Sequence, residues 1–173
     1  MLGVKPDELA RWLEEFKGPL HSFLRRMAGD SAADDLFQEV FVKALGAAKT
    51  YEDRQRPAAW LFTIARRLAL DHLRRARPEV SLDQSAEEGA SWAETLPGKD
   101  PRPEAELESG ETNARIMAAI DSLPLDQREV FLLREHGGLS FKEISGALGI
   151  PLNTALGRMH YAVAKLRRIL EKP

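Results

Sequence analysis

A run of 33 residues, 79–111, with almost nothing to bury decides what this 173-residue chain can fold into. After Arg77-Pro78 the segment EVSLDQSAEEGASWAETLPGKDPRPEAELESGE is rich in Pro, Gly, Ser and acid. Its few apolar anchors are chiefly Val80, Leu82, Trp92 and Leu96. Neither a two-residue nor a 3.6-residue apolar repeat runs through it, so it reads as a flexible linker. A hydrophobic core cannot pass along such a segment, and the chain is expected to form two small units, 1–78 and 112–173. The charge is partitioned in the same way. Residues 1–78 hold 14 Lys and Arg against 11 Asp and Glu, the linker 2 against 10, and residues 112–173 hold 9 against 6. The overall charge of −2 therefore hides two basic lobes joined by an acidic strap. Two roles stay open for the strap: a solvating spacer, or a segment that occupies a basic channel.

Both flanks read as helical, so the expected fold class is all-α. Leu9, Trp12, Leu13 and Phe16 share a face, a break is expected at Gly18-Pro19, and Leu20, Phe23, Leu24 and Met27 follow. Gly29 ends this region and Ser31 can cap the next. From Ala32 to Ala48, Leu36, Val40, Phe41, Ala44 and Leu45 are expected inward with Phe37 beside them. Asp34, Asp35, Gln38, Glu39, Val42 and Lys43 then point out. The polar loop 49–56 leads to Pro57, which suits a first helical turn. Short connections imply a compact helical bundle.

The stretch WLFTIARRLALDHLRRAR, Trp60 to Arg77, carries a core face and a basic face on one helix. At about 100° per residue, Leu61, Ile64, Ala65, Leu68 and His72 fall on one arc. Thr63, Arg66, Arg67, Leu70, Arg74 and Arg77 fall on the opposite one. Guanidinium groups about a turn apart suit phosphate, and Trp60 stands at the edge of that row. An aromatic ring beside a cationic row is what single-stranded nucleic acid needs, because bases stack on the ring while the backbone follows the charge. An ordinary solvated face with one core tryptophan would give the same pattern.

In the second unit Ile116, Met117, Ile120 and Leu123 form a stripe. Asp126 and Glu129 can cap a helix carrying Val130, Phe131, Leu133 and Arg134, which Gly137-Gly138 end. Ser140 and Glu143 make a capping box for a short helix with Phe141, Ile144 and Leu148 inward. A last helix from about Leu152 to Glu171 is expected to bury Leu152, Ala155, Met159, Val163, Leu166 and Leu170. A short helix, a glycine turn and a longer helix form a helix-turn-helix, whose second helix commonly enters the DNA major groove. Its outward positions are Asn153, Thr154, Gly157, Arg158, Tyr161, Lys165 and Arg168, flanked by His160 and Arg167. Packing alone also produces helical hairpins.

Other classes find little support. With no cysteine, disulfides, thiolate metal sites and thiol nucleophiles are excluded. His21, His72, His136 and His160 have no partners at metal-ligand spacing, and His72 reads as a core histidine. No phosphate-cradling glycine loop or nucleophile elbow occurs. The expectation is neither enzyme nor cofactor nor metal site. The N-terminus lacks a signal-like apolar run and no window approaches a membrane span, so the expected location is cytoplasmic, without membrane insertion.

Two blocks resemble the extracytoplasmic-function sigma factors, small promoter-specificity subunits of bacterial RNA polymerase. AADDLFQEVFVKAL followed by RPAAWLFTIARRLALDHLRR is similar to the family's region two, and DSLPLDQREVFLLREHGGLSFKEISGALGI to its region four. The resemblance implies that residues 1–78 bind core polymerase and read and melt the minus-ten element, that 79–111 is the connector, and that 112–173 reads the minus-thirty-five element. Asp35, Gln38, Glu39 and Lys43 would meet the polymerase. Lys49, Tyr51, Trp60, Thr63, Arg66, Arg67, Arg74 and Arg77 would meet minus-ten DNA, where capturing an unstacked base offsets the few kcal/mol needed to extrude it. Ser140, Asn153, Thr154, Arg158, His160, Tyr161 and Lys165 would meet minus-thirty-five DNA. A dedicated anti-sigma factor is the further implied partner. The chain departs from the family at Pro151, where a capping serine is common, and at Leu156, Gly157 and Tyr161, where a basic residue, a serine and an arginine are usual. Losing two cations there should weaken the phosphate contribution to binding and flatten its salt dependence. The alternative reading is a free-standing helix-turn-helix regulator that binds duplex DNA without polymerase. Such a regulator has no use for the Asp35, Gln38 and Glu39 surface.

Overall fold

Pro6 opens the first helix, where its missing N–H costs nothing and its fixed φ is already helical. In this computed structural model, which describes residues 3–52, 56–76 and 109–171, the order is α1 (Pro6–Ala28), α2 (Asp30–Ala47), α3 (Pro57–Ala76), α4 (Ser109–Asp121), α5 (Leu125–Glu135), α6 (Phe141–Leu148) and α7 (Leu152–Leu170). The fold is all-α, as expected from the periodicity, and no strand occurs among the described residues. Most of the linker expected at 79–111, together with Arg77, lies outside them; residues 109–111 form the first turn of α4.

Helix α1 does not break at Gly18-Pro19 but runs straight through. Pro19 cannot donate to the carbonyl of Glu15, but Glu15 is exposed and water can take that acceptor. Meanwhile Leu9 and Leu13 before the proline, and Leu20, Phe23, Leu24 and Met27 after it, are all buried, which holds both halves on one axis. Acids at Asp7 and Glu8 and bases at Arg25 and Arg26 complement its dipole. Gly29, at φ 95° and ψ 161°, turns the chain from α1 into α2 in a single residue, a conformation open essentially to glycine alone. Ser31, the expected cap, lies inside α2, which has no side-chain cap.

Helix α2 buries Leu36, Val40 and Ala44, together with Ala32 and Ala33. Phe41 and Leu45, expected inward, are instead 40% and 43% exposed. Three alanines on the buried strip narrow the contact with α1 and α3, leaving the larger side chains at its margins uncovered. On α3, Leu61, Ala65 and Leu68 are buried as expected, whereas His72 is only half-buried. Phe62, Ala69 and Leu70 are buried as well. Leu70 belongs to the arc expected to face solvent but is buried; one turn earlier on α3, Arg66 meets Glu129 of the second unit.

In the second unit Asp126 and Glu129 do not form a cap. The Asp126 carboxylate accepts from the neighbouring Gln127 N–H (2.9 Å), the α5 N-terminus has no side-chain cap, and Glu129 faces the first unit. The Ser140–Glu143 capping box does form: Ser140 Oγ accepts from the Glu143 N–H (3.2 Å) and Glu143 Oε2 from the Ser140 N–H (2.7 Å). Gly149, at φ 65°, makes the left-handed turn into α7. Helix α7 buries Ala155, Met159, Ala162 and Leu166, while Val163 and Leu170 are half-buried and Leu152, expected in the core, is 46% exposed.

The two units share one continuous core. Phe23 of α1 packs edge-on to Phe62 of α3 at 5.4 Å. Gly137, after α5, comes so near the same ring that a Cβ there would lie 3.3 Å from Phe62 Cγ. The Arg128 guanidinium donates to the Arg26 carbonyl of α1 (3.2 Å) and the Leu123 carbonyl after α4 (3.0 Å), and Arg26 pairs with Asp121 at 2.8 Å. Burial pulls the Arg128 pKa down against the pull of Asp121.

Candidate nucleic-acid interface

Three surfaces hold the residues expected to recognise partners. The first is a cleft of about 900 Å³ between the α2–α3 connection, the first half of α3, and α6. Tyr51 and Trp60 stack at 4.2 Å with an interplanar angle of 19°. Trp12 of α1 meets both edge-on, at 6.1 and 6.5 Å, and so fixes the pair from behind. Lys43, Arg56 and Arg67 supply cations around these rings. Thr63 lines the same wall, with its hydroxyl donating to the Ala59 carbonyl at 2.6 Å. Lys49 is exposed near the mouth, and Arg74, further along α3, is exposed and pairs loosely with Asp71 at 3.5 Å. Such a cleft, aromatic on one side and cationic at its rim, has the elements that hold an unstacked base and its phosphates.

Arg66 departs from the expected row. Its Nε donates to Glu129 Oε2 at 2.8 Å and its side chain is 17% exposed. From the other side Arg158 Nη1 approaches Glu129 Oε1 at 3.6 Å, and Arg158 Nε approaches Asp126 at 3.5 Å. Arg158 is therefore drawn inward rather than presented with the outward residues of α7. Glu129 is 5% exposed, the one buried charged residue among those described. Burial pushes its carboxyl pKa up, outweighing the hydrogen bond and charge of Arg66 and the charge of Arg158. Arg56, in the loop before α3, pairs with Glu143 of α6 at 3.4 Å.

The second surface is the exposed side of α2. Asp35, Gln38, Glu39 and Lys43 all stand in solvent. Beside them Val42 is 65% exposed, and Phe41 and Leu45 continue an apolar strip between the charges. Val42 was legible as outward from the sequence, but Phe41 and Leu45 were not. Polar groups rimming apolar ones suit a protein partner better than DNA.

The third surface is the helix-turn-helix. Asn153 is exposed at the first turn of α7 and Thr154 half-buried beside it. Tyr161 is 51% exposed and packs edge-on against His160 at 5.8 Å. Ser140 is exposed but engaged as the α6 cap. Lys165 is turned away from this group: its ammonium donates to the Ser122 carbonyl at 2.9 Å, closing the end of α4. The reason is spacing, since Lys165 lies three turns along α7 from Asn153, where the helix packs on α4. Of the expected contacts, Asn153, Thr154, His160 and Tyr161 stay together, whereas Arg158 and Lys165 bind the protein itself.

The described residues contain no group of three or more side chains suited to a metal, and no described helix is long and apolar enough to cross a membrane. Sequence reasoning had no access to Arg56, Arg128 or Glu143 as partners across the two units, because nothing local marks a loop arginine, an arginine of α5 or the acid of a capping box as reaching another unit.

Comparison with known proteins supplies the remaining observations. Residues 12–79 match the family described as Sigma-70 region 2, and residues 113–166 that described as Sigma-70, region 4. The ECF RNA polymerase sigma factor EcfG of Rhodopseudomonas palustris is 34% identical over 152 residues, which cover 87% of this chain and 78% of that protein. SigW of Bacillus subtilis is 29% identical over 167 residues, covering 95% and 89%. SigE of Mycolicibacterium smegmatis is 31% identical over 167 residues, but these span only 62% of its length. Among solved structures, the sigma factor RpoE in complex with the anti-sigma factor NepR, from Bartonella quintana, superposes with a TM-score of 0.68 at 22% identity, covering 94% of this chain and 96% of that one. CnrH in complex with the cytosolic domain of CnrY gives a TM-score of 0.65 at 24% identity, covering 96% and 90%.

Proposed function

The chain belongs to the extracytoplasmic-function family of RNA polymerase sigma factors, and from that premise we propose how its three surfaces divide the work of a promoter-specificity subunit. Residues 1–78 form the unit that binds core polymerase and opens the minus-ten element, 79–111 the connector, and 112–173 the unit that reads the minus-thirty-five element. The exposed side of α2, with Asp35, Gln38, Glu39 and Lys43 around Phe41, Val42 and Leu45, docks on the polymerase. The Tyr51–Trp60 cleft takes an unstacked base of the minus-ten element, with Lys49, Arg67 and Arg74 along the strand's phosphates and Thr63 on the wall of the cleft. Asn153, Thr154, His160 and Tyr161 face the minus-thirty-five bases.

The observation that carries this reading is the stacked Tyr51–Trp60 pair in a cation-rimmed cleft, joined in one polypeptide to a capped helix-turn-helix. Such a chain does no covalent chemistry. It spends binding energy on an extruded base to melt DNA and leaves the polymerase to make bonds, so it is a regulatory subunit rather than an enzyme. Its place of work is the cytoplasm, with the polymerase. An anti-sigma factor is a fitting further partner, since both solved neighbours are held by other polypeptides. A free-standing helix-turn-helix regulator is not favoured, because it would leave the α2 surface and the aromatic cleft without a role. Run-off transcription on a library of genomic promoters tests the proposal: core polymerase plus this chain should give promoter-dependent transcripts, while the chain alone binds duplex weakly. Tight sequence-specific duplex binding without polymerase, and no transcripts with it, would overturn it.

A further inference from the structure

Helix α7 begins with an uncovered leucine. By helical phase Leu152 belongs with Ala155, Met159 and Leu166, which are buried, but as the first residue of the helix it stands at the open end of that stripe and is 46% exposed. Leu156, one turn on, is half-buried, and neither leucine takes part in the hydrophobic core. Cα–Cβ bonds tilt toward a helix N-terminus, so both side chains lean to the end that a recognition helix puts into the major groove. Asn153 is exposed beside them. Arg158 is the sole Lys or Arg between Leu152 and Tyr161, and it is 14% exposed and turned toward Asp126 and Glu129 of α5. What this end of α7 offers a base pair is therefore an amide and two isobutyl groups rather than a guanidinium. In the major groove a guanidinium selects guanine, an amide selects adenine through N6 and N7, and an apolar side chain meets the C5-methyl of thymine.

We propose that Leu152 is a specificity-determining residue, packing on the C5-methyl of a thymine in the minus-thirty-five element next to an adenine read by Asn153, with Leu156 extending the apolar surface. The inference rests on the role given above to α7 and names the bases that this helix selects. Adjacent Cα atoms lie about 3.8 Å apart, close to the roughly 3.4 Å rise between base pairs, so neighbouring side chains suit neighbouring pairs. A methyl contact carries no charge and releases no counterions, so this part of recognition is independent of salt where a phosphate contact is not. Its size is set by one methyl-sized group leaving water, about fourfold in binding.

The test uses the full-length chain with core polymerase and a promoter recovered from the run-off library. Replacing the thymines of its minus-thirty-five duplex one at a time with deoxyuridine removes a methyl group and nothing else. At one thymine at least, binding of the holoenzyme should fall about three- to fivefold, by the same factor at low and at high salt. With Leu152→Ala, which should fold normally because the position is exposed, that loss should shrink to less than about 1.5-fold. Leu152→Met keeps an apolar side chain of similar volume and should restore the methyl response. Asn153→Ala should retain it while losing the preference for the adjoining adenine. No loss at any thymine, or equal losses in the wild type and Leu152→Ala, overturns the inference. So does a Leu152→Ala defect of one size on every template, which would make the residue a contact for protein. Transcripts without methyl dependence leave the promoter-reading function standing, whereas no transcripts from any promoter would remove that function and the inference together.

Discussion

Gly137 sits in the tight turn after α5, close beneath the Phe62 ring of the first unit, and replacing it with alanine measures how little room that turn leaves. A Cβ at this position would lie 2.6 Å from Leu139 Cδ1, 2.7 Å from the Leu133 carbonyl oxygen and 3.3 Å from Phe62 Cγ. The leucine methyl can rotate away only into a core where Leu139 is 1% exposed. The carbonyl is held more firmly, since it accepts from the Leu139 N–H at 3.2 Å in the turn that leads to α6. The ring of Phe62 needs to give only a few tenths of an ångström, but it is fully buried against Phe23. Overpacking of this kind costs about 1–3 kcal/mol. The backbone φ at Gly137 is not positive, so alanine also regains about 0.4–1 kcal/mol by restricting the unfolded chain. The net expectation is a loss of about 1–2 kcal/mol, which for a domain of this size lowers the melting temperature by about 2–8 °C. Gly146 is the matched control: it lies within α6, with nothing inside 4 Å of its would-be Cβ. Gly146→Ala should therefore stabilise by about 0.5–1 kcal/mol. Thermal unfolding followed by far-ultraviolet circular dichroism reads both. A Gly137→Ala chain that melts at or above the wild type would refute the tight packing of the α5–α6 turn around this position.

Other perturbations address separate surfaces. Asp35→Arg should remove most promoter-dependent transcription with core polymerase while leaving the melting temperature within about 1 °C, as for exposed positions generally; normal transcripts would count against α2 as the polymerase face. Trp60→Ala should weaken binding to a forked minus-ten DNA by about 1–3 kcal/mol, one stacked base, and have little effect on a fully paired duplex; equal losses on both would show that the ring does not hold an unstacked base. Arg67→Ala should reduce the salt slope of the same binding by about one phosphate, measured from 50 to 200 mM salt. His136 sets a pH response. Burial first, then Arg26, lowers its pKa below the ordinary 6.5, so the folded chain binds fewer protons there than the unfolded one. The stability it contributes is complete above pH 6.5 and is lost as pH falls through that value toward the lowered one. Glu129, with its raised pKa, works in the opposite sense as pH falls toward 4.5. The readout is therefore the difference between the wild type and His136→Gln in urea unfolding from pH 7.5 to 5.5: the wild type should lose the more stability, and parallel curves would refute the assignment.

How far the sequence could be read depended on which interactions are local. The capping box at Ser140 and Glu143 lies within four residues and was legible as written, as were the α6–α7 turn at Gly149 and the buried set Leu61, Ala65 and Leu68. Pro19 misled because proline reports what a single residue cannot donate, whereas the continuity of α1 is set by six buried side chains on either side of it. Phe41, Leu45 and Leu152 misled for a related reason. Helical phase says which residues share a face, but the width of the covered strip depends on how closely the neighbours approach, and the alanines of α2 and α7 make those approaches narrow.

The arginines of α3 and α7 show why a face argument alone cannot assign a binding row. A guanidinium on an outward arc is compatible with phosphate, with a carboxylate of the same chain, or with both in turn. Periodicity treats Arg66, Arg67 and Arg74 alike. The structure separates them by what stands opposite: a buried carboxylate for Arg66, an open cleft for Arg67 and a neighbouring exposed acid for Arg74. Glu129 could not have been placed from sequence either, because three residues after Asp126 it fits a helix cap equally well; its burial requires the second unit to lie against the first.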